Sequence, residues 1–204
     1  MKEAKFREVK PEIRIMGFDD GSFEPQTEGE AWLIGVVTRG GQWIDGVLSN
    51  KIKIDGMDAT PTIIDMVNES RHKDQVRVIM TSGITFAGFN VVDTNQVFEE
   101  TGIPVIVISR KDPDLPAVKR ALKNLPNWQE RWEILNSAGE IRSVKSVGTK
   151  SRETTIYVQT AGIKWEDAEE IIQTTTTRSS IPEPLRLAHL IATGISRGES
   201  VGRV

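Results

Sequence analysis

Apolar positions along the chain gather into short runs whose spacing separates strands from helices. Residues 13–19, IRIMGFD, form an apolar run ending in acid and predict a buried strand. Residues 31–38, AWLIGVVT, predict a second strand. Gly40-Gly41 then gives a two-residue hairpin signal before a third strand that starts near Trp43 and runs through VLSNKIKI to Asp55. The chain therefore opens as a three-strand antiparallel meander. The pattern then changes period. Asp58 or Thr60 is placed to cap a helix with Pro61 in its first turn and Ile63, Ile64 and Val67 as its apolar stripe. VRVIM (76–80) predicts a strand, 91–100 a helix stopped by Gly102, and PVIVIS (104–109) a parallel strand covered on both faces. A helix is expected from Leu115 to Leu125, between Pro113 and Pro126.

The resulting order, β-β-β-α-β-α-β-α, is that of the RNase H-like fold. This is an α/β architecture in which parallel strands extend an antiparallel meander into one mixed sheet with helices on both faces. Beyond it, Trp128, Trp132 and Leu135 share one helical face, TTIYVQT (154–160) alternates like a half-buried strand, and 165–173 predicts a short amphipathic helix. Thr174 to Thr177 is a polar run expected to be a linker or strand edge. Ser180-Ile181-Pro182-Glu183 has capping-box spacing and places the start of a final helix. We expect one domain over residues 1–204, with a C-terminal helical segment from about residue 180.

Composition narrows the chemistry. There are 38% apolar and 27% charged residues, ordinary for a water-soluble domain, and no apolar run long enough to span a bilayer. The polar start, MKEAKFREVKPE, is unlike a secretory signal, so a cytoplasmic setting without a membrane partner is expected. The absence of cysteine excludes disulfides, thiolate metal sites and a cysteine nucleophile; with only two histidines, a histidine-rich zinc site is disfavoured. Metal chemistry would rest on carboxylates, which favours Mg²⁺ or Mn²⁺. A net charge of −3 argues against non-specific wrapping of nucleic acid, but not against a local basic groove beside an acidic cluster.

Asp19 and Asp20 end the first strand ahead of Gly21-Ser22. Neighbouring strand residues face opposite ways, so one acid should face the active side of the sheet, where burial calls for a cation or hydrogen-bond donors. A turn solvated by both acids is the plainer alternative. Asp55 is a second candidate ligand and Asp58 a helix cap, while Asp93 reads as a cap. The segment Gly83 to Asn90, GITFAGFN, follows a parallel strand, where α/β proteins place ligands. Its glycines permit close backbone approach, and Phe86 and Phe89 either serve that site or anchor the core. Arg110 and Lys111 end the last parallel strand, where a cation can hold phosphate. Arg186 and His189, three apart, share a helix face suited to phosphate contact or proton transfer.

GFDDGSF, IDGMDAT, SGITFAGFNVVD and IPEPLRLAHLIATGISRGES together resemble an archaeal family long carried as a domain of unknown function and also called endonuclease dU, from about Ile13 to Gly202. That family is similar to endonuclease V, and the resemblance implies an RNase H-like fold and Mg²⁺-dependent cutting of nucleic acid near deaminated bases. Gly17-Phe18-Asp19 with Ser22-Phe23 resembles the first-strand motif, so Asp19 falls at its metal-binding aspartate. Pro182-Glu183-Pro184, Arg186 and Ala188-His189 resemble the C-terminal motif, with His189 as its functional histidine. Lys111 matches a strand-end lysine, with Arg110 as a substitute. Thr81-Ser82-Gly83 stands where endonuclease V carries an aspartate, and the Pro-Tyr-Pro wedge is absent. Asp20, Asp55 and Asp58 would then complete the metal site with Asp19.

The expected function is a metal-dependent endonuclease on nucleic acid, DNA before RNA, containing uracil or hypoxanthine. Asp19, Asp20, His189 and Lys111 would be catalytic. Arg110, Arg186, Gly83, Phe86 and Asn90 would contact nucleic acid, with the target base flipped out near GITFAGFN. The competing expectation, motivated by Ser82, is a nucleic-acid-binding protein on the same scaffold without catalysis. A small-molecule enzyme using the glycine-rich loop would instead need a closed apolar pocket. The oligomeric state is left open, a homodimer included.

Overall fold

Three strands open the chain, β1 (Arg14–Asp20), β2 (Glu30–Arg39) and β3 (Trp43–Lys53), in a computed structural model that describes residues 3–4, 6–147 and 153–200. They form the expected antiparallel meander, with Asp19 opposite Ile34 and Asp20 opposite Leu33. The turn between β2 and β3 is longer than the expected two-residue hairpin: Arg39 pairs with Trp43, leaving residues 40–42 to reverse the chain. The register then slips between Val37 and Thr38, and Asp45 bulges out. There it meets Arg14 Nε at 3.1 Å and Arg39 Nη2 at 2.9 Å, which gives the extra residue its role.

Helix α1 (Ala59–Asn68), β4 (Val78–Ser82), a small hairpin of β5 (Thr85–Phe86) and β6 (Asn90–Val91), α2 (Thr94–Thr101) and β7 (Val105–Ser109) follow. β1, β4 and β7 are parallel. VIMTS and VIVIS bury every position but the last, as strands covered on both faces require. The β5–β6 hairpin was not foreseen; the helix expected over 91–100 starts at Thr94 because the Asp93 carboxylate accepts the Asn95 and Gln96 N–H groups there. Gly102, at φ 73°, ends it as expected.

The last third adds α3 (Leu115–Leu122), α4 (Trp128–Ser137), β8 (Arg142–Val147), β9 (Glu153–Ala161), α5 (Trp165–Thr175) and α6 (Glu183–Arg197). The sheet order is β3-β2-β1-β4-β7-β9-β8, with β9 antiparallel to both neighbours. β8 escapes sequence reading because it is an edge strand, and of its described side chains, 142–145, only Val144 is buried. The threonine run is not a linker. Thr174 and Thr175 belong to the last turn of α5, where the Thr175 and Thr176 hydroxyls donate to the Ile171 and Ile172 carbonyls, each at 2.7 Å. Nor does the capping box form. α6 starts at Glu183 with Pro182 as its N-cap and no side-chain cap, because the Glu183 carboxylate turns to Arg178 and Arg186 instead.

The alternation of β1 assigns its two faces. Met16 and Phe18 join Leu33, Val37 and Ile52 against α1 and α2, while Ile15 joins Val78, Met80, Ile106 and Ile108 on the side of α5 and α6. Ile34 and Val36 pack under Ala188 and Ala192 of α6. These small helix residues let α6 lie low on the sheet, and Gly17 completes the fit. A Cβ there would stand 2.7 Å from the Pro184 carbonyl carbon and Cβ. That close approach carries His189 over the tip of β1. Among the described residues no helix is long and apolar enough to cross a membrane.

Candidate active site

Asp19 and Asp20 leave the end of β1 on opposite sides, as strand geometry demands. Asp19, 4% exposed, lies beneath α6 with its Oδ2 3.0 Å from His189 Nδ1. Its Oδ1 accepts the Asp20 N–H at 3.0 Å. Asp20 turns the other way, and its Oδ2 accepts the Ala87 N–H at 2.5 Å. Both acids still border one cavity of about 370 Å³, because it opens at the strand tip; Ser22, Ser82, Arg110, His189 and Thr193 share its wall. Burial pushes the Asp20 carboxyl up to about 7 and the Asp19 charge pushes the same way, against the lowering effect of the Ala87 N–H.

The donors suit a hard cation. Two carboxylates and serine and threonine hydroxyls are oxygen ligands, and Mg²⁺ keeps several waters while binding through only one or two carboxylates. The Asp19–Asp20 pair meets that modest demand, and a divalent charge would relieve both the burial and the Asp19 repulsion that lift Asp20. A cage made wholly of protein ligands is a different matter. Among the described residues no group of three or more His, Asp or Glu side chains is arranged to hold a metal.

The other residues singled out in the sequence go to different places. Asp55 and Asp58 lie in the turn after β3 and do not line the cavity. Asp55 Oδ1 accepts the Phe89 N–H at 2.8 Å, and Asp58 accepts the Lys53 N–H at 3.2 Å and Asn90 Nδ2 at 2.6 Å. Asp58 occupies the N-cap position of α1 without capping it, because its carboxylate faces back to β3. Phe86 is fully buried in the core, and Asn90, also fully buried, holds Ala59 N–H and the Lys53 carbonyl, so neither offers a surface to a base. Gly83 adopts φ 87° and donates its N–H to Ile108, tying β4 to β7. Arg110 reaches the cavity wall, whereas its exposed neighbour Lys111 does not. Arg186 is held by Glu183, Nε to Oε2 at 2.7 Å and Nη2 to Oε1 at 2.5 Å. That holds its guanidinium against the start of α6, outside the cavity lining.

Sequence reasoning passed over three groups. Glu183, 1% exposed, is a buried anion between Arg178 and Arg186. Its i,i+3 spacing to Arg186 signalled that pair, but Glu183 was read as the acid of a capping box with Ser180. Arg197 donates to Ser22 Oγ at 2.5 Å beside the cavity, and its only signal was a cation in the last turn of α6. Arg131 is 2% exposed, and a charged residue between two tryptophans on a helix gives no warning of that burial.

The family model described as Endonuclease dU matches residues 11–196. The chain belongs to the endonuclease dU family. A UPF0215 protein of Methanothermobacter thermautotrophicus is 54% identical over 203 residues, covering 99% of this chain and 97% of that one. A UPF0215 protein of Pyrococcus furiosus is 46% identical, covering 95% and 97%. The crystal structure of a protein of unknown function from Archaeoglobus fulgidus superposes with a TM-score of 0.80 at 38% identity, covering 91% of this chain and 99% of that one. Human ENDOV superposes at 0.58 with 16% identity, covering 91% and 85%. Ciona intestinalis endonuclease V, solved with a 24mer DNA containing an inosine, superposes at 0.58 with 15% identity, covering 86% and 82%. The fold of this endonuclease dU family member is therefore RNase H-like. In it, Ser82 at the end of β4 shares the cavity wall with the two acids, beside the Ser22 and Thr193 hydroxyls.

Proposed function

We propose that this member of the endonuclease dU family is a divalent-metal-dependent endonuclease that cuts DNA containing a deaminated base, uracil or hypoxanthine. Family membership supports a nuclease. The observation that carries the reading is the tip of β1: two mutually repelling carboxylates meet in one cavity, and one of them is backed by His189. The endonuclease V neighbour crystallised on inosine-containing DNA supports nucleic acid as the partner.

A bound Mg²⁺ or Mn²⁺ would supply positive charge at the scissile phosphate and acidify a water. Asp19 and Asp20 would hold it. His189, with Nδ1–H donated to Asp19, keeps Nε2 to take a proton from the attacking water or return one to the leaving oxygen. Arg110 presents a guanidinium for a backbone phosphate at the cavity wall, and the exposed Lys111 adds a second positive charge along the strand's path. Arg186 acts at a distance, by holding with Glu183 the helix that bears His189. The hairpin is filled by its own residues, so selection of a flipped base rests on groups around the cavity mouth.

Duplexes carrying one uracil or one hypoxanthine, incubated with Mg²⁺, Mn²⁺ or EDTA, test this reading. Strand scission is expected with metal and not with EDTA, and Asp19→Asn should lower it by about 10³-fold, the scale of losing a principal electrostatic stabiliser. Cleavage by Asp19→Asn at the wild-type rate would remove the site. A second reading, binding without catalysis, draws on Ser82 and on the absence of a three-ligand cluster among the described residues. Tight, lesion-dependent binding with no scission under any metal would favour it.

A further inference from the structure

Asp55, a metal-ligand candidate from sequence, faces the β5–β6 turn. Its N–H donates to the Ala87 carbonyl at 2.8 Å, and its Oδ1 accepts the Phe89 N–H at 2.8 Å. Both Asp55 (φ 52°) and Ala87 (φ 44°) occupy the left-handed region, which non-glycine residues adopt only when their surroundings hold them there. Between them Gly88, at φ 90°, leaves no room for a side chain, since a Cβ would fall 2.3 Å from Asp55 Oδ1. The hairpin turn thus lies flush against the Asp55 carboxylate.

Arg131 of α4 closes the assembly from behind. Its guanidinium donates to the Gly56 carbonyl at 2.7 Å, to the Asp55 carbonyl at 2.7 Å and to the Phe89 carbonyl. One buried cation therefore ties the turn after β3 to the hairpin by filling carbonyl lone pairs that would otherwise face a dry interior. What emerges on the far side is the Ala87 N–H, pointing at Asp20 Oδ2.

We propose that Asp55 and Arg131 are positioning residues: they lock the β5–β6 turn so that the Ala87 N–H fixes the orientation of the Asp20 carboxylate at the cavity. The proposal rests on the metal-dependent reading for its purpose, but its geometry can be read without metal. A purely architectural role would stabilise the two loops without setting Asp20. Positioning makes Asp20 the group that feels their loss.

Two readouts decide it. In metal-free protein, the Ala87 amide signal in ¹H–¹⁵N spectra reports its hydrogen bond, with Asp20→Ala, which removes the acceptor, as the reference for its loss. Mn²⁺ affinity from electron paramagnetic resonance reports the use made of it. Asp55→Ala should move the Ala87 amide toward the reference position and weaken Mn²⁺ binding by about 10–100-fold, the range for groups that orient a ligand. Asp55→Asn, which keeps an acceptor for the Phe89 N–H, should restore most of both. Asp58→Ala, in the same turn, should leave both unchanged. If Asp55→Ala does not fold, Asp55→Gly, which also removes the acceptor but suits the left-handed backbone at this position, is read the same way. An unmoved Ala87 amide overturns the proposal, as does unchanged Mn²⁺ affinity when the amide moves, or an Asp58→Ala protein that loses as much as Asp55→Ala. Wild-type protein that binds no Mn²⁺ sinks the metal reading instead, and the amide signal then decides the positioning geometry alone.

Discussion

On the α6 side of β1, Asp19 meets an imidazole in addition to the Asp20 N–H; on the hairpin side, Asp20, Asp55 and Asp58 are held by amide N–H groups alone, those of the backbone and, for Asp58, of the Asn90 side chain as well. The two arrangements satisfy the same need, hydrogen bonds for carboxylates withdrawn from water, by different means. An amide N–H cannot give up its proton, so acids bound to amides are fixed in place and their partners take no part in chemistry. An imidazole can, and the Asp19–His189 pair keeps one ring nitrogen without a hydrogen-bond partner among the described residues. Asp20 belongs to both regions, anchored by an amide yet bordering the same cavity as Asp19. Acids that look alike along the chain are thus separated by what they touch.

This contrast can be broken from either side. After the loss of about 10³-fold expected of Asp19→Asn, the largest effect is expected from His189→Ala, which should lower strand scission by about 10²-fold, at the modest end for a proton-transfer group, while the fold persists. A rate within a few-fold of wild type would reduce the α6 side to architecture as well. Gly17→Val comes next. It forces α6 off β1 by overpacking against Pro184 and should destabilise the protein by about 1–3 kcal/mol in urea unfolding. It should also lower activity beyond that loss, because His189 rides on the displaced helix.

Asp20 gives a smaller effect with a defined pH dependence. Its folded value of about 7 lies above the ordinary carboxylate value, so the folded state retains its proton more readily than the unfolded chain. The stability this brings is fully present below about pH 4 and disappears as pH rises to about 7. In metal-free protein, Asp20→Asn should therefore raise the melting temperature at pH 8 by about 2–5 °C and change it little at pH 4. A lower melting temperature at both would show that the Ala87 contact outweighs the repulsion. The smallest change is expected for Asp58→Asn, which keeps an oxygen for Lys53 N–H and Asn90. Stability should fall by less than about 1 kcal/mol, and scission should stay within a few-fold of wild type. A loss matching Asp19→Asn would extend the ligand set across the hairpin and erase the distinction between the two sides.

Much of the frame could be read directly from residue patterns. The meander, the two parallel strands buried on both faces and the acids at the end of β1 follow from periods of two and runs of β-branched residues, which are local properties. The features missed have in common that their causes lie elsewhere in the chain. The β5–β6 hairpin exists because Asp55 and Arg131 clamp its turn, and β8 because β9 offers an edge. The threonine run is the exception, with a local cause: the Thr175 and Thr176 hydroxyls donate to carbonyls of the preceding turn of α5. Arg110, directly after β7, lines the cavity, and Lys111 one position later does not.

The amino-acid sequence alone determined that a mixed α/β sheet would carry acids at the tip of its first strand, and that without cysteine and with two histidines any metal there would be met mostly by oxygen ligands. Which acids converge was decided only in three dimensions. His189 lies 170 positions from Asp19, and the two meet because Gly17 lets a late helix settle on an early strand. Local periodicity encodes which way a side chain points from its own element. It carries no record of which distant element will stand opposite, and that choice follows from how the packed faces close.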